Sequence, residues 1–221
     1  MMKAALFDMD GLLLDTEPIW GDVMNATAQA QGVVVPMDRI RETAGLRILE
    51  VCHYWQRNFS WPQGLSPQKL SDTIVDGVIT HSKEKAAVLP GVPALLHSLK
   101  DKGWKIGLAS SSPLRMIEAL LSFFNIGSFF EAVVSADTAA LGKPHPEVYL
   151  QCAGRLGVGA HQCVVLEDTV NGCIAAKAAR MKVLAVPHYE WAHDPRFAIA
   201  DKVVMSLEGV GTPELEKLLL G

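Results

Sequence analysis

From Leu89 to Val186 the chain alternates short apolar runs with amphipathic stretches, and this alternation limits its fold more than any other feature. The apolar runs are Lys105–Ala109, Ala132–Val134, Cys163–Leu166 and Lys182–Val186. Each is too short for a helix and stops at a polar or chain-breaking residue, the pattern of strands buried on both faces of a parallel sheet. Between and around them, helical periodicity runs over Val92–Lys102, Pro113–Phe124, Pro146–Leu156 and Thr169–Ala179, with Gly103 and Gly157 just past two of the ends. A last helix is predicted over Leu215–Leu220. Strand–helix repetition of this kind implies a parallel sheet joined by right-handed crossovers.

The first strand stands apart from the others. Ala4, Ala5, Leu6 and Phe7 form a short apolar run that ends at Asp8, and Asp10 and Gly11 come just after. The next segment changes character. Helical patterns at Pro18–Gln31, Leu46–Phe59 and Pro67–Ala87 are separated by breakers such as Gly32, Pro62 and Gly64, and no strand-like run exceeds Gly32–Pro36. The expected fold is therefore α/β: a Rossmann-like parallel-sheet core of residues 1–15 and 88–221, with an α-helical cap of residues 16–87 inserted after the first strand.

Bulk properties narrow the function. Lys plus Arg number 20 against 24 Asp plus Glu, a net charge of −4, which gives no basic footprint for nucleic acid. Cys52, Cys152, Cys163 and Cys173 form neither C-x-x-C nor a zinc spacing and are expected as reduced, buried thiols. The first residues lack a secretory pattern, and no apolar run reaches the length of a membrane span. A cytoplasmic monomer with a small-molecule substrate, and with no nucleic-acid or membrane partner, is expected.

Chemistry-bearing residues collect at strand ends. Asp8 and Asp10, Ser110 to Ser112, Lys143 and the pair Glu167–Asp168 each fall at or beyond the C-terminal end of a strand, where open α/β sheets bind ligands. Taken singly, each has an ordinary reading. The serines could cap the following helix, Lys143 could be a solvated loop charge, and Glu167–Asp168 could favour a helix N-terminus. On one edge they make an oxygen-rich pocket suited to Mg²⁺, a helix start able to hold phosphate oxygens, and one positive charge. Asp8 is the nucleophile candidate and Asp10 the general acid/base candidate.

With these residues in place the sequence resembles a haloacid dehalogenase superfamily phosphatase of the branch with a helical cap after the first strand. The resemblance rests on Asp8-Met9-Asp10-Gly11, Leu108-Ala109-Ser110-Ser111, Gly142-Lys143-Pro144 and Leu166-Glu167-Asp168-Thr169, in the family's order. Within that branch it is most similar to bacterial hexitol phosphatases and 2-deoxyglucose-6-phosphate phosphatases. The resemblance implies a Mg²⁺-dependent phosphatase acting on sugar or sugar-alcohol monophosphates through an aspartyl-phosphate. It gives Asp8 the attack on phosphorus and Asp10 the proton transfers. Ser110, Ser111 and Lys143 would bind the phosphoryl group. Asp8, Asp168, the Asp10 backbone carbonyl and, as a weaker candidate, Glu167 would hold the metal. Thr16, Trp20 and Arg47 are expected at the substrate end. Arg47 offers a fork of donors to sugar hydroxyls or a second anion, unless it only pairs with Glu50.

The nearest alternative is a phosphomutase of the β-phosphoglucomutase kind, which would need a second phosphate grip from Arg41, Arg47 or Arg57. A non-enzymatic phosphoacceptor regulator is more remote, because it would be about half this length and its acceptor would not precede a helical insert. A dehalogenase would have no use for Asp10 as acid/base or for a metal pocket. A phosphonate-cleaving relative would need a Schiff-base lysine, and Lys69, Lys83 and Lys85 read as solvated.

Overall fold

A computed structural model of the chain describes residues 2–220. The first strand, β1 (Ala4–Phe7), leads into four helices: α1 (Glu17–Ala30), α2 (Met37–Glu42), α3 (Ile48–Asn58) and α4 (Pro67–Lys85). The alternating part then runs α5 (Val92–Asp101), β2 (Lys105–Ser110), α6 (Leu114–Phe123), β3 (Ala132–Ser135), α7 (Glu147–Leu156), β4 (Cys163–Glu167), α8 (Val170–Ala178), β5 (Lys182–Ala185), β6 (Lys202–Val203) and α9 (Thr212–Leu220).

All strand pairings are parallel, in the order β3-β2-β1-β4-β5-β6. β1 is central, and Phe7 stands level with Leu108 of β2 and Leu166 of β4. The next residues of all three strands therefore emerge at one edge of the sheet. The apolar run of β1 is continuous because both its faces are covered. Ala5 and Phe7 join a cluster with Leu95, Leu99, Ile117 and Leu215 of α5, α6 and α9. Ala4 and Leu6 pack with Tyr149, Cys152 and Cys173 of α7 and α8 on the other face. All four cysteines are buried free thiols.

Helices α1 to α4 hang from the core by two adjacent chain crossings. Asp15 N donates to Ala87 O at 3.0 Å and Leu89 N to Leu13 O at 2.9 Å, so the outgoing and returning segments run antiparallel. Inside the insert, Trp55 stacks on Trp61 with ring centroids 6.1 Å apart. The structure departs from the sequence expectations in three places. Helix α2 follows Gly32–Pro36 unexpected. A two-residue strand, β6, closes the sheet. The last helix begins three residues earlier than expected, at Thr212.

Candidate active site

Asp8 leaves β1 buried, with its backbone N–H donating to Leu166 O at 3.1 Å, and the turn just beyond it needs Gly11. Gly11 has φ +72, and a Cβ there would overlap the Asp168 carboxylate. The strand ends bring Asp8, Ser110 and Glu167 together, and the loop before α7 adds Lys143. Lys143 Nζ lies 2.6 Å from Asp8 Oδ1 and 2.6 Å from Glu167 Oε1, with almost no exposed surface. It also sits over the Tyr149 ring, 4.8 Å from the centroid.

Glu167 is held from several sides. Tyr149 Oη donates to its Oε1 at 2.8 Å, while Thr169 N and Thr169 Oγ1 donate to its Oε2, both at 2.9 Å. A Cβ at Gly172 would collide with it, so α8 can pass only because that position is glycine. Glu167, the weaker candidate among the expected metal ligands, stands as the counter-charge of Lys143. Tyr149 has no local sequence signal for this role: it reads as one more core residue of a periodic helix.

Asp10 is oriented by three donors. Thr16 Oγ1 and Trp20 Nε1 reach its Oδ1 at 2.7 and 2.9 Å, and Ser112 Oγ reaches its Oδ2 at 2.6 Å. Thr16 and Trp20, expected to meet the substrate, lie at the site but hold the carboxylate. Ser112 stands out in the sequence only as part of a serine run. Ser110 Oγ accepts from Ser112 N at 3.1 Å, and Ser111 Oγ donates to Gly45 O of the insert at 2.7 Å.

Charge in this region is poorly balanced. Burial pushes the Asp8 carboxyl up to about 7 against the pull of Lys143, with Glu167 and Asp10 adding to the rise. Burial, then Asp10 and Asp8, push Glu17 up to about 8. Asp168 is raised well above the ordinary range by burial and by Glu167, Glu17 and Asp8. Burial opposes the charge on Lys143, yet Asp8 and Glu167 outweigh it and raise its pKa. Burial likewise opposes ionisation of Glu167, and Lys143 outweighs it.

Several buried carboxylates thus share one ammonium, and Asp168 Oδ1 is buried with no hydrogen-bond partner. An orphan oxygen in an over-negative pocket fits a hard divalent cation. Among the described residues, no cluster of three or more His, Cys, Asp or Glu side chains is placed to hold a metal ion. A cation here would draw on the side chains of Asp8 and Asp168, with backbone oxygen and water completing its shell.

A cavity of about 350 Å³ opens over this edge. Asp8, Asp10, Ser110, Ser111, Lys143 and Glu167 line its floor. Trp20, Met24, Ile40, Arg41, Gly45 and Leu46 of the insert face them, and His188 to Trp191 after β5 form a further wall. Gly45, with φ +77, permits the insert to approach: a Cβ there would stand 2.7 Å from Thr169 Oγ1. Asn171 Nδ2 donates to Ala44 O at 2.9 Å beside this contact. Arg47 corrects an expectation. It does not line the cavity; its guanidinium is paired with Glu50 and donates to the carbonyls of Ala136, Ala139 and Ala140 at 3.0–3.3 Å. The loop it grips leads directly to Lys143.

Buried carboxylates at the strand ends of a parallel sheet, one of them oriented by three donors, together with a fixed ammonium and an orphan carboxylate oxygen, suit phosphoryl transfer. The chain belongs to the haloacid dehalogenase-like hydrolase family, whose model matches residues 2–180. It is 41% identical over 213 residues to hexitol phosphatase B of Escherichia coli (strain K12), covering 96% of each chain. The fold is similar to that of CbbY from Rhodobacter sphaeroides in complex with phosphate, with a TM-score of 0.87 and 28% identity over 98% of this chain and 100% of that one. It is also similar to a β-phosphoglucomutase from Clostridium difficile, with a TM-score of 0.84 and 23% identity over 100% of this chain and 98% of that one. The enzyme class is phosphoric monoester hydrolase. Among the described residues no helix is long and apolar enough to cross a membrane.

Proposed function

We propose that this chain is a Mg²⁺-dependent phosphatase of sugar or sugar-alcohol monophosphates that works through an aspartyl-phosphate on Asp8. The observation that carries this reading is the pairing of Asp8 with Lys143 beside an Asp10 held by three donors. Asp8 Oδ1 faces Lys143, which leaves Oδ2 for attack. In the first step Asp8 Oδ2 bonds to phosphorus, the bond from phosphorus to the sugar oxygen breaks, and Asp10 gives that oxygen a proton. In the second, Asp10 takes a proton from water as the water oxygen bonds to phosphorus and the bond to Asp8 breaks. Thr16 and Ser112 suit both states of Asp10, because a hydroxyl can rotate from donating to accepting when the carboxyl carries its proton.

Lys143 balances charge on the phosphoryl oxygens and is itself kept in place by Glu167. Ser110 and the Ser111 amide hold those oxygens. A Mg²⁺ ion on Asp8, Asp168 and the Asp10 carbonyl would supply further positive charge against the transferring group. Phosphate monoesters hydrolyse so slowly unaided that rate enhancements reach about 10²¹, while general acid–base help gives about 10²–10⁴. Most of the remainder must come from such preorganised charge.

Residues 16–87 act on this reading as a cap that excludes water and meets the part of the substrate beyond phosphate. The hexitol substrate class draws support from the 41% identity to hexitol phosphatase B. Substrate choice and cofactor are tested together by Mg²⁺-dependent phosphate release across sugar, polyol, nucleotide and aryl monophosphates. Hexitol and hexose monophosphates should give the highest kcat/KM, and chelation should stop turnover. Equal rates for all phosphates, or turnover unaffected by chelation, would contradict the reading.

A further inference from the structure

The cavity wall beyond the strand-end floor is built in part from two segments far apart in sequence. Arg41, in the last turn of α2, reaches across to the short 3-10 turn Tyr189–Trp191 beyond β5. Its Nη2 stands 3.6 Å from Glu190 Oε2, and its guanidinium lies over the Trp191 ring, 5.2 Å from the centroid. All three residues line the cavity. Arg41 and Lys143 are the Lys or Arg side chains among those lining residues, and Lys143 is paired with Asp8 and Glu167. Arg47 is turned to the loop before Lys143, and Arg57 is exposed away from the cavity.

A substrate with a second anionic group would need a free cation at this far end, and Arg41 is the residue placed to supply one. Its charge is met by Glu190 and one face is covered by Trp191. We infer that Glu190 is a specificity-determining residue: by masking Arg41 it reserves the far end of the cavity for an uncharged polyhydroxyl tail and disfavours sugar bisphosphates and phosphorylated sugar acids. Such discrimination comes from denying a partner to the wrong substrate as much as from contacts to the right one. This deepens the monophosphatase reading and rests on it for the identity of the preferred substrate. Of Arg41, Arg47 and Arg57, Arg41 lines the cavity, and it stands beside Glu190 there.

The test compares wild type, Glu190→Gln and the double variant Arg41→Ala/Glu190→Gln. Two quantities are read: kcat/KM for a hexitol monophosphate against a hexose bisphosphate, and the inhibition constant of the bisphosphate against hydrolysis of a small aryl phosphate. Freeing an exposed arginine from one carboxylate should shift the ratio toward the bisphosphate by about two- to fivefold, the range of exposed ion pairs. The bisphosphate should inhibit more tightly by a similar factor, the gain should shrink in high salt, and it should vanish in the double variant. An unchanged ratio and inhibition constant in Glu190→Gln would overturn the inference, as would the same gain in the variant that lacks Arg41. If wild type cleaves the aryl phosphate but no hexitol phosphate, the substrate reading fails. The bisphosphate inhibition constants then still decide whether Glu190 masks Arg41.

Discussion

The two ends of the cavity are held in different ways. At the phosphoryl end three charged groups have several short contacts: Lys143 two at 2.6 Å, Asp10 three, and Glu167 four. Asp10 and Glu167 belong to strand ends whose register is fixed by the central sheet, and Lys143 is pinned against Glu167 from its loop. At the far end, Arg41 and Glu190 are nearly half exposed and 3.6 Å apart, on a six-residue helix and a 3-10 turn. A phosphoryl group is the same in every monoester, so rigidity costs the enzyme nothing there. The rest of the substrate varies, and there the wall is made from short elements with exposed side chains.

If this contrast holds, damage to the first end should lower turnover of every substrate, and damage to the second should change only ratios. The largest effect belongs to Lys143. Lys143→Ala should lower kcat/KM by about 10²-fold or more for aryl and hexitol phosphates alike, as loss of a preorganised charge does at other sites. Its Mg²⁺ requirement should change little, whereas Asp168→Ala should raise the Mg²⁺ concentration for half-maximal rate. Titrating both variants with Mg²⁺ separates the roles, and an unchanged midpoint in Asp168→Ala would remove it from the metal site.

Arg47 sharpens the comparison because it sits in the insert yet contacts the core. Removing its charged contacts to Glu50 and to the carbonyls before Lys143 should lower kcat/KM by about tenfold, roughly the worth of a hydrogen bond to a charged group. The loss should be equal for hexitol and aryl phosphates. A loss confined to the hexitol substrate would return Arg47 to the specificity end.

The smallest effect lies away from both ends. Asp201 accepts from Lys177 Nζ at 2.7 Å and from Val183 N at 2.8 Å, which ties α8 to the outer strands. Burial would raise its pKa, but Lys177, the Val183 amide and Lys182 outweigh it and hold the carboxyl below its usual range. A depressed folded pKa gives stability that is present above the unfolded value of about 3.9 and lost as pH falls through the folded one. Asp201→Asn should therefore lower Tm by about 2–4 °C at neutral pH, for a cost of about 1 kcal/mol in a chain of this size. The gap should narrow below about pH 4, and substrate ratios should not move.

The same contrast explains what can be read in the sequence. Asp8, Ser110, Lys143 and Glu167 are legible because period and breakers locate strand ends, and parallel strands put their ends on one edge. The fate of Glu167 is not, since Tyr149 arrives from a helix whose periodicity marks it only as core. Helix α2 is six residues long with Ile40 its buried residue, too little for a 3.6-residue period to register. The wall at His188 to Trp191 has no local signature at all; it matters only because α2 meets it across about 150 residues of chain. Arg47 reads as reaching either sugar or Glu50, and the carbonyls it also grips lie in a loop that no spacing connects to it.

The central claim is that the strand-end carboxylate Asp8 becomes the phosphoryl carrier. Rapid quenching during turnover of an aryl phosphate, with peptide mapping by mass spectrometry, tests it most directly. A phosphoryl adduct is expected on Asp8, more abundant in Asp10→Asn, whose second step lacks its base, and absent in Asp8→Asn, which should also release no phosphate. An adduct on another residue, or steady turnover by Asp8→Asn at more than a few per cent of the wild-type rate, would contradict it.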